Sequence, residues 1–501
     1  MTPESYFTGE PLRIGNTTQL LLDNGIIEDA WAITRTLEQP NPFPGSPLIV
    51  ADKPWEHGSV GAPSVLFDEE MKRYRCWYQV WSMPAHSAER VAWVTGKYHH
   101  SPTYSIHYAE SEDGIHWEKP LLDVCPHEHY GKTNMVYKGT HFQRAQGIQV
   151  IRQPEAPPEK RFMMVVLEKA PDSEGQLQSG VHLAYSPDGF SWTLDAHTIL
   201  DYHSDCFNHI VHDAERGRWL LYCRPIQMYA AHPYGGTMPD GKTGSRHTKR
   251  RIAVATSTDL VNWSYPRTVL FPDERDTPDY NQCHVFRCAS HFIMLYQAMN
   301  GDTDGSGDVR LAYSRDGLNF ERFHDRKALI PRGPEGSWSA GATYSSCGPV
   351  AHGDNMLLYY SASDQPESSP TKISSIGAVL LRRDRFAACE AGSEPGFLLT
   401  REFILEGDRL ILNARGTAVP GEETYLKVEI CQHPPLGKSD GFTQACEGFE
   451  MENCRPTAQN GMDIPVLWKG TGADLSRLKG QPVYLRFQIK NCSLFSFRIE
   501  A

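Results

Sequence analysis

Four short acidic stretches stand just ahead of apolar, strand-like runs: Trp55-Glu56-His57-Gly58, His203-Ser204-Asp205-Cys206-Phe207-Asn208-His209, Asp276-Thr277-Pro278-Asp279-Tyr280-Asn281 and Pro334-Glu335-Gly336-Ser337-Trp338. Carboxyl groups gathered from such positions can share acid–base work, one giving a proton while another attacks or activates water. Asp205 is the foremost candidate, because it lies at a strand entry with His203 and His209 on either side to tune it. The plain alternative is an aspartate that caps a turn. Asp279, beside Tyr280, comes next; Glu56 and Glu335 follow, each with the alternative of a solvated loop acid. Trp55 and Trp338 flank two of these acids and offer flat faces for stacking, unless they only fill a core. At a fifth equivalent place, Phe142-Gln143-Arg144-Ala145 carries no acid, and Arg144 there suits a hydroxyl or an anion. His209, Arg251 and Tyr280 complete the set of candidate binding groups.

For distant acids to meet, the elements that carry them must be arranged around a common point, and a repeat supplies that arrangement. Ser111-Glu112-Asp113-Gly114-Ile115-His116-Trp117 recurs as Ser186-Pro187-Asp188-Gly189-Phe190-Ser191-Trp192, Ser257-Thr258-Asp259-Leu260-Val261-Asn262-Trp263 and Ser314-Arg315-Asp316-Gly317-Leu318-Asn319-Phe320. The closing aromatics are 75, 71 and 57 residues apart. Each copy follows an alternating run (Tyr104-Ile106-Tyr108, Val181-Leu183-Tyr185, Ile252-Val254-Thr256, Val309-Leu311-Tyr313), and alternation running into Asp-Gly reads as a hairpin. Another strand pair precedes each hairpin, at 62–81, 146–167, 208–224 and 281–297. A fifth unit runs through 345–362 and 376–381, with Asp384-Arg385-Phe386 as a degenerate hairpin.

Five units of about four strands predict an all-β chain, a five-bladed β-propeller followed by a C-terminal β-sandwich. The expected segments are 1–50, wrapping or closing the propeller, 51–400 for the propeller and 401–501 for the sandwich. An ordinary sandwich with chance Asp-Gly turns is the alternative, and four copies in matching context argue against it.

At this point the chain resembles the furanosidase-type five-bladed propellers of glycoside hydrolase families 32, 43, 68 and 130. The resemblance rests on Tyr185-Ser186-Pro187-Asp188-Gly189-Phe190-Ser191-Trp192 and its copies. The ending Leu478-Lys479-Gly480-Gln481-Pro482-Val483-Tyr484-Leu485-Arg486-Phe487 looks most like the family 32 arrangement. The Asn-Asp-Pro-Asn, Arg-Asp-Pro and Glu-Cys motifs of family 32 are absent, which marks a divergent branch. The resemblance implies a glycoside hydrolase that cleaves a furanosidic or related bond, with acids entering a central funnel from the inner ends of the blades. Two carboxyl groups across the scissile bond are what that reaction needs. The alternatives are a phosphorylase, in which phosphate bound by a basic cluster replaces one carboxylate, and a non-catalytic glycan-binding propeller. A six-bladed sialidase-like ring fits less well, because its turn carries one more residue between Asp and Gly.

The remaining signals exclude more than they add. A formal net charge of −12 argues against a nucleic-acid partner. No apolar stretch approaches a membrane span, and Met1 to Gly9 shows no leader features, so a cytoplasmic protein is expected. None of the 12 cysteines forms a CxxC pair. Asp123, Cys125, His127 and His129 have metal-ligand chemistry at no standard spacing, so no metal and no cofactor is expected. Gly236-Thr237-Met238-Pro239-Asp240-Gly241-Lys242-Thr243 matches the phosphate-loop letters but lacks the flanking strand and helix, and reads as an inserted loop. His247, Lys249, Arg250 and Arg251 are either a solvated edge or an anion site. The oligomeric state is not legible.

Overall fold

The computed structural model describes residues 11–56, 58–81, 104–127, 129–140, 145–171, 174–205, 207–226, 250–301, 303–369, 371–433 and 444–501. Its elements are strands and short 3-10 turns. By contacts the chain forms two units, one of Pro40–Arg287 with Phe292–Leu381, the other of Met1–Gln39, Cys288–His291 and Arg382–Ala501.

The first unit is a five-bladed propeller. Blade one runs from Val60–Asp68 through Arg73–Trp81 and Tyr104–Ser111 to Met135–Tyr137. Blade two is Gln146–Arg152, Phe162–Pro171, Leu177–Ser186 and Thr193–Leu200. Blade three is His209–Asp213, Arg218–Cys223, Ile252–Ser257 and Arg267–Leu270. Blade four is Asp279–Cys288, His291–Met299 and Gly307–Ser314, with Glu321–Arg322 and Ala328–Ile330 as its outer strand. Blade five has a broken inner strand, Ala342–Ser345 and Val350–His352, then Asn355–Ser363 and Ser374–Arg382. Its outermost place is taken by Asn41–Pro42, paired with Leu380 and Val379. The degenerate hairpin expected at Asp384-Arg385-Phe386 is therefore not a blade hairpin: the chain turns there and enters the second unit.

An inner strand is a sheet edge, and its unpaired amides and carbonyls need partners. Each blade supplies them to the next. Ser64 Oγ accepts Val150 N at 2.8 Å, and Gln149 bridges Ile210 with both amide atoms at 2.6 and 3.0 Å. His209 Nε2 accepts Val285 N at 2.8 Å, and Gln282 Nε2 donates to the Ser345 carbonyl at 2.9 Å. Ser361 Oγ then accepts Ala62 N at 2.7 Å, which returns from blade five to blade one. Apolar cores follow the same circuit: Trp77, Ile106 and Tyr108 pack with Met164 and Val166, and Met163 and Val165 with Leu221 and Ala255. Tyr222 and Val254 pack with Phe292 and Met294, and Leu357 and Tyr359 close the ring on Cys76 and Tyr78. Between blades four and five, Gly307 pairs in parallel with Ala342.

The repeated turn works as its composition demands. In the copy at Asp316, the carboxylate accepts the Leu318 and Asn319 amides at 2.8 Å, and Ser314 Oγ accepts the Gly317 amide at 3.0 Å. Gly114 has φ +78, and a Cβ there would meet the Tyr359 hydroxyl at 2.8 Å; that hydroxyl donates to the Gly114 carbonyl from the neighbouring blade. The turn is thus an inter-blade rivet as well as a bend.

The second unit is a sandwich of two antiparallel sheets. One holds Thr34–Leu37, Ala387–Ala391, Cys492–Glu500, Arg409–Gly416 and Gly461–Pro465, with Gln19–Leu20 attached. The other holds Ile27–Trp31, Gly396–Thr400, Pro482–Lys490, Tyr425–Gln432 and Gln444–Ala445, with Phe403–Ile404 attached. Leu398, Leu410, Trp468, Phe487 and Phe497 fill the space between them. N-terminal strands sit in both sheets, because Ile27–Trp31 and Thr34–Leu37 find open edges there.

Candidate active site

In an antiparallel blade the inner strand begins beside the end of the second strand, so residues at those ends from successive blades gather on one face of the ring. Asp205 lies there at the entry to blade three. Its Oδ2 is 2.8 Å from Arg224 Nη1, its Oδ1 accepts Gln146 Nε2 of blade two at 3.0 Å, and its side chain is 31% exposed. The backbone of Asp205 is left-handed, φ +58, an unfavourable conformation for a residue with a Cβ. Local bonds hold it: Asn208 Nδ2 donates to the Asp205 carbonyl at 2.9 Å, Ser204 Oγ to Asn208 Oδ1 at 2.7 Å, and Arg224 N to Ser204 Oγ at 3.1 Å.

Arg224 also reaches blade four, where its Nη2 donates to the Asn281 carbonyl at 3.1 Å and to Asn281 Oδ1 at 2.9 Å. Asp279 stands two residues before Asn281 on the same strand and shares its face. Asp279 is 5% exposed, and its Oδ1 accepts Arg250 N at 2.6 Å. Gly301 leaves the room it needs, since a Cβ there would fall 2.0 Å from Asp279 Oδ2. A third carboxylate, Glu367, comes from the loop between the second and third strands of blade five. It accepts the Tyr344 hydroxyl at 2.5 Å and ion-pairs with Lys372. Burial works to raise its pKa, but Lys372, Tyr344 and Arg250 outweigh burial and hold it below the ordinary glutamate value. That loop is pinned to blade four by Glu367 N on the Gly305 carbonyl at 3.2 Å.

Other sequence-derived candidates are placed differently. Glu56 is fully buried: its carboxylate takes the Tyr78 hydroxyl at 2.6 Å, the Lys119 ammonium at 2.8 Å and the amides of Asp52 and Lys53 at 3.0 Å. It is an internal anchor, because every lone-pair direction is filled. His209 is buried. It is stacked between Tyr222 and His284, and burial, then His284, lowers its pKa well below the usual value, so it stays neutral and latches Val285. Tyr280 is also fully buried, packed edge-on against Tyr296 with its hydroxyl on Arg322. The Asp276 side chain is buried, ion-paired with Arg322 and Arg326, and accepts the Asp273 amide at 2.8 Å.

Arg251 spends Nη1 on the carbonyls of Arg250 and Pro278, at 2.8 and 2.9 Å. Trp55 donates Nε1 to Asn134 at 2.8 Å, and Trp338 packs against Tyr360 and over Gly377. Glu335 is exposed on its loop. Arg144, His247, Lys249 and the 236–243 loop lie outside the described residues. Asp123 pairs with Lys132 at 2.9 Å, and among the described residues no three His, Cys, Asp or Glu side chains gather as metal ligands. No helix there is long and apolar enough to cross a membrane.

Sequence reasoning did not single out Gln146, Arg224, Asn281, Glu367 or Gln297, whose Oε1 accepts Asn281 Nδ2 at 2.7 Å. Arg224 did carry a signal, as an arginine directly after the buried run Leu220-Leu221-Tyr222-Cys223. Gln297, within the apolar strand 291–299, carried the same one.

No protein-family model and no curated protein matches the chain. Solved structures do. One is an N-acetylgalactosamine deacetylase from F. plautii, solved with blood group B trisaccharide, at 18% identity over 71% of this chain and 97% of that one, TM-score 0.44. Another is a β-1,2-mannobiose phosphorylase from Listeria innocua, at 11% identity over 70% and 98%, TM-score 0.49. A glycosyl hydrolase from Bacteroides ovatus matches at 12% identity over 70% and 95%, TM-score 0.45. All three are carbohydrate-active proteins. Their reactions differ from one another.

Proposed function

We propose that the chain is a carbohydrate-active enzyme, a glycoside hydrolase whose carboxyl pair is Asp205 and Asp279. The observation that carries this reading is the partly open Asp205 carboxylate, held by Arg224 and Gln146 and joined through Asn281 to the strand that bears Asp279. Glu56 is buried and bonded on both oxygens, and the Asp276 side chain is buried beside two arginines, whereas the Asp205 side chain is 31% exposed. Glycoside cleavage needs one carboxyl to protonate the leaving oxygen and one to attack the sugar or activate water, and two blades supply one each. Glu367 with Lys372 borders the same face and serves to bind hydroxyls. The oligosaccharide is the expected partner.

Asp205→Asn should lower turnover of a panel of aryl glycosides at least 100-fold, with the melting temperature unchanged. Undiminished turnover would remove Asp205 from the mechanism. The same assay run with and without inorganic phosphate separates the alternatives. Free sugar released without phosphate supports hydrolysis, sugar phosphate formed only with it means a phosphorylase, and binding without turnover means a glycan-binding propeller.

A further inference from the structure

We infer that Gln297, separated from the carboxylate by two residues of the hydrogen-bond chain, is a positioning residue that fixes the orientation of Asp205 through Asn281 and Arg224. The inference rests on the proposed role of Asp205 and extends it.

The chain has a direction set by chemistry. The Thr343 carbonyl of blade five can only accept, and Gln297 points at it, so the group that meets it at 2.9 Å is the Nε2 amide. Gln297 Oε1 is thereby left as an acceptor, and it takes Asn281 Nδ2 at 2.7 Å. Asn281 must then present Oδ1 to Arg224 Nη2, at 2.9 Å, and Arg224 turns its Nη1 to Asp205 at 2.8 Å. Turning over any amide would set donor against donor or oxygen against oxygen at two contacts. Gln297 is fully buried and Asn281 and Arg224 are each 6% exposed, so water does not substitute readily. The relay crosses from the backbone of blade five to a side chain at the mouth of blade three, while Gln146 of blade two braces the other oxygen. Four blades thus hold one carboxylate, which a single salt bridge would leave free to swing.

A misplaced catalytic group loses rate faster than it loses binding. Gln297→Met, close in volume and without the amide, should lower kcat about 10- to 100-fold while KM for an aryl glycoside changes less than about 3-fold. In an Asp205→Glu background, chosen so that residual activity stays measurable, the same substitution should cost little more, because the relay then has no correctly placed carboxylate to serve. Multiplicative losses in the two backgrounds would overturn the inference and leave Asp205 catalytic. A crystal structure of Gln297→Met gives a readout free of turnover: Asp205 swung away from Arg224 is expected, and an undisturbed 2.8 Å pair overturns the proposal whatever the enzyme's reaction. Should Gln297→Met not fold, Gln297→Glu, which keeps the shape but sets an oxygen against the Thr343 carbonyl, is judged by the same two measurements. Full activity in Asp205→Asn would instead refute the catalytic reading, with the crystallographic result still deciding the relay.

Discussion

Glu56 and Asp205 show how two acids at similar places in the sequence come to do different things. Both stand just before an inner strand, but Glu56 is enclosed with Lys119, whose ammonium also lies 2.6 Å from Asp52, while Asp205, held by Arg224 and Gln146, has a side chain 31% exposed. A buried carboxylate saturated by donors is a poor general acid or base, since moving its proton breaks several bonds at once. Glu56→Gln should accordingly leave kcat per folded molecule unchanged and destabilise the protein by about 2–3 kcal/mol, because the amide turns a donor toward the buried lysine. Activity normalised to folded fraction, beside chemical denaturation, checks both halves. The sequence could not tell these acids apart: the side chains that enclose Glu56, those of Tyr78 and Lys119, lie 22 and 63 residues away.

At the scale of the element, the repeated Ser-x-Asp turn was legible in full, since its bonds are made within a few residues and depend on residue types alone. It also makes a pH prediction. Burial works against ionisation of Asp316, but the amides of Asn319 and Leu318 outweigh it and draw the carboxyl down to about 2. Asp188 is held low against burial in the same way, Asp113 against burial first by the His116 side chain and then by backbone amides, and Asp259 chiefly by the Asn262 amide. A carboxyl whose folded pKa is depressed contributes stability that is present above its unfolded value, about 3.9, and is lost as pH falls through the folded one. Stability should therefore drop between about pH 4 and pH 2, and Asp316→Asn should flatten that drop; equal slopes in melts across the window would exclude this cause. The fifth turn was misread because Asp384-Arg385-Phe386 keeps the local look of a hairpin while Asn41–Pro42 already occupies the strand place beside it.

Across the whole molecule, closure depends on groups that reach from blade to blade. Arg75 is one of them. It lies buried at 3.1 Å from Asp68, donates to Tyr108, and bonds the Asp188 carbonyl of the next blade at 2.6 Å, with four aromatic rings around its guanidinium. Arg75→Leu should destabilise the protein by about 3–5 kcal/mol, because Asp68 is left charged and buried. A loss below about 1 kcal/mol in denaturant titration would show that the apolar contacts between blades one and two suffice.

The sequence by itself determined the strands, the turns and the radial repeat, because period-two alternation and turn chemistry act between near neighbours. It also placed Asp205 and Asp279 at strand entries. Only the tertiary structure decided which acids are exposed and which are enclosed, that Tyr280 and His209 are buried, that N-terminal strands complete the sandwich, and that Gln297 and Asn281 link through Arg224 to Asp205 in the loop before blade three. Those outcomes turn on partners tens to hundreds of residues apart, whose meeting is fixed by how the sheets close and not by the spacing of residues along the chain.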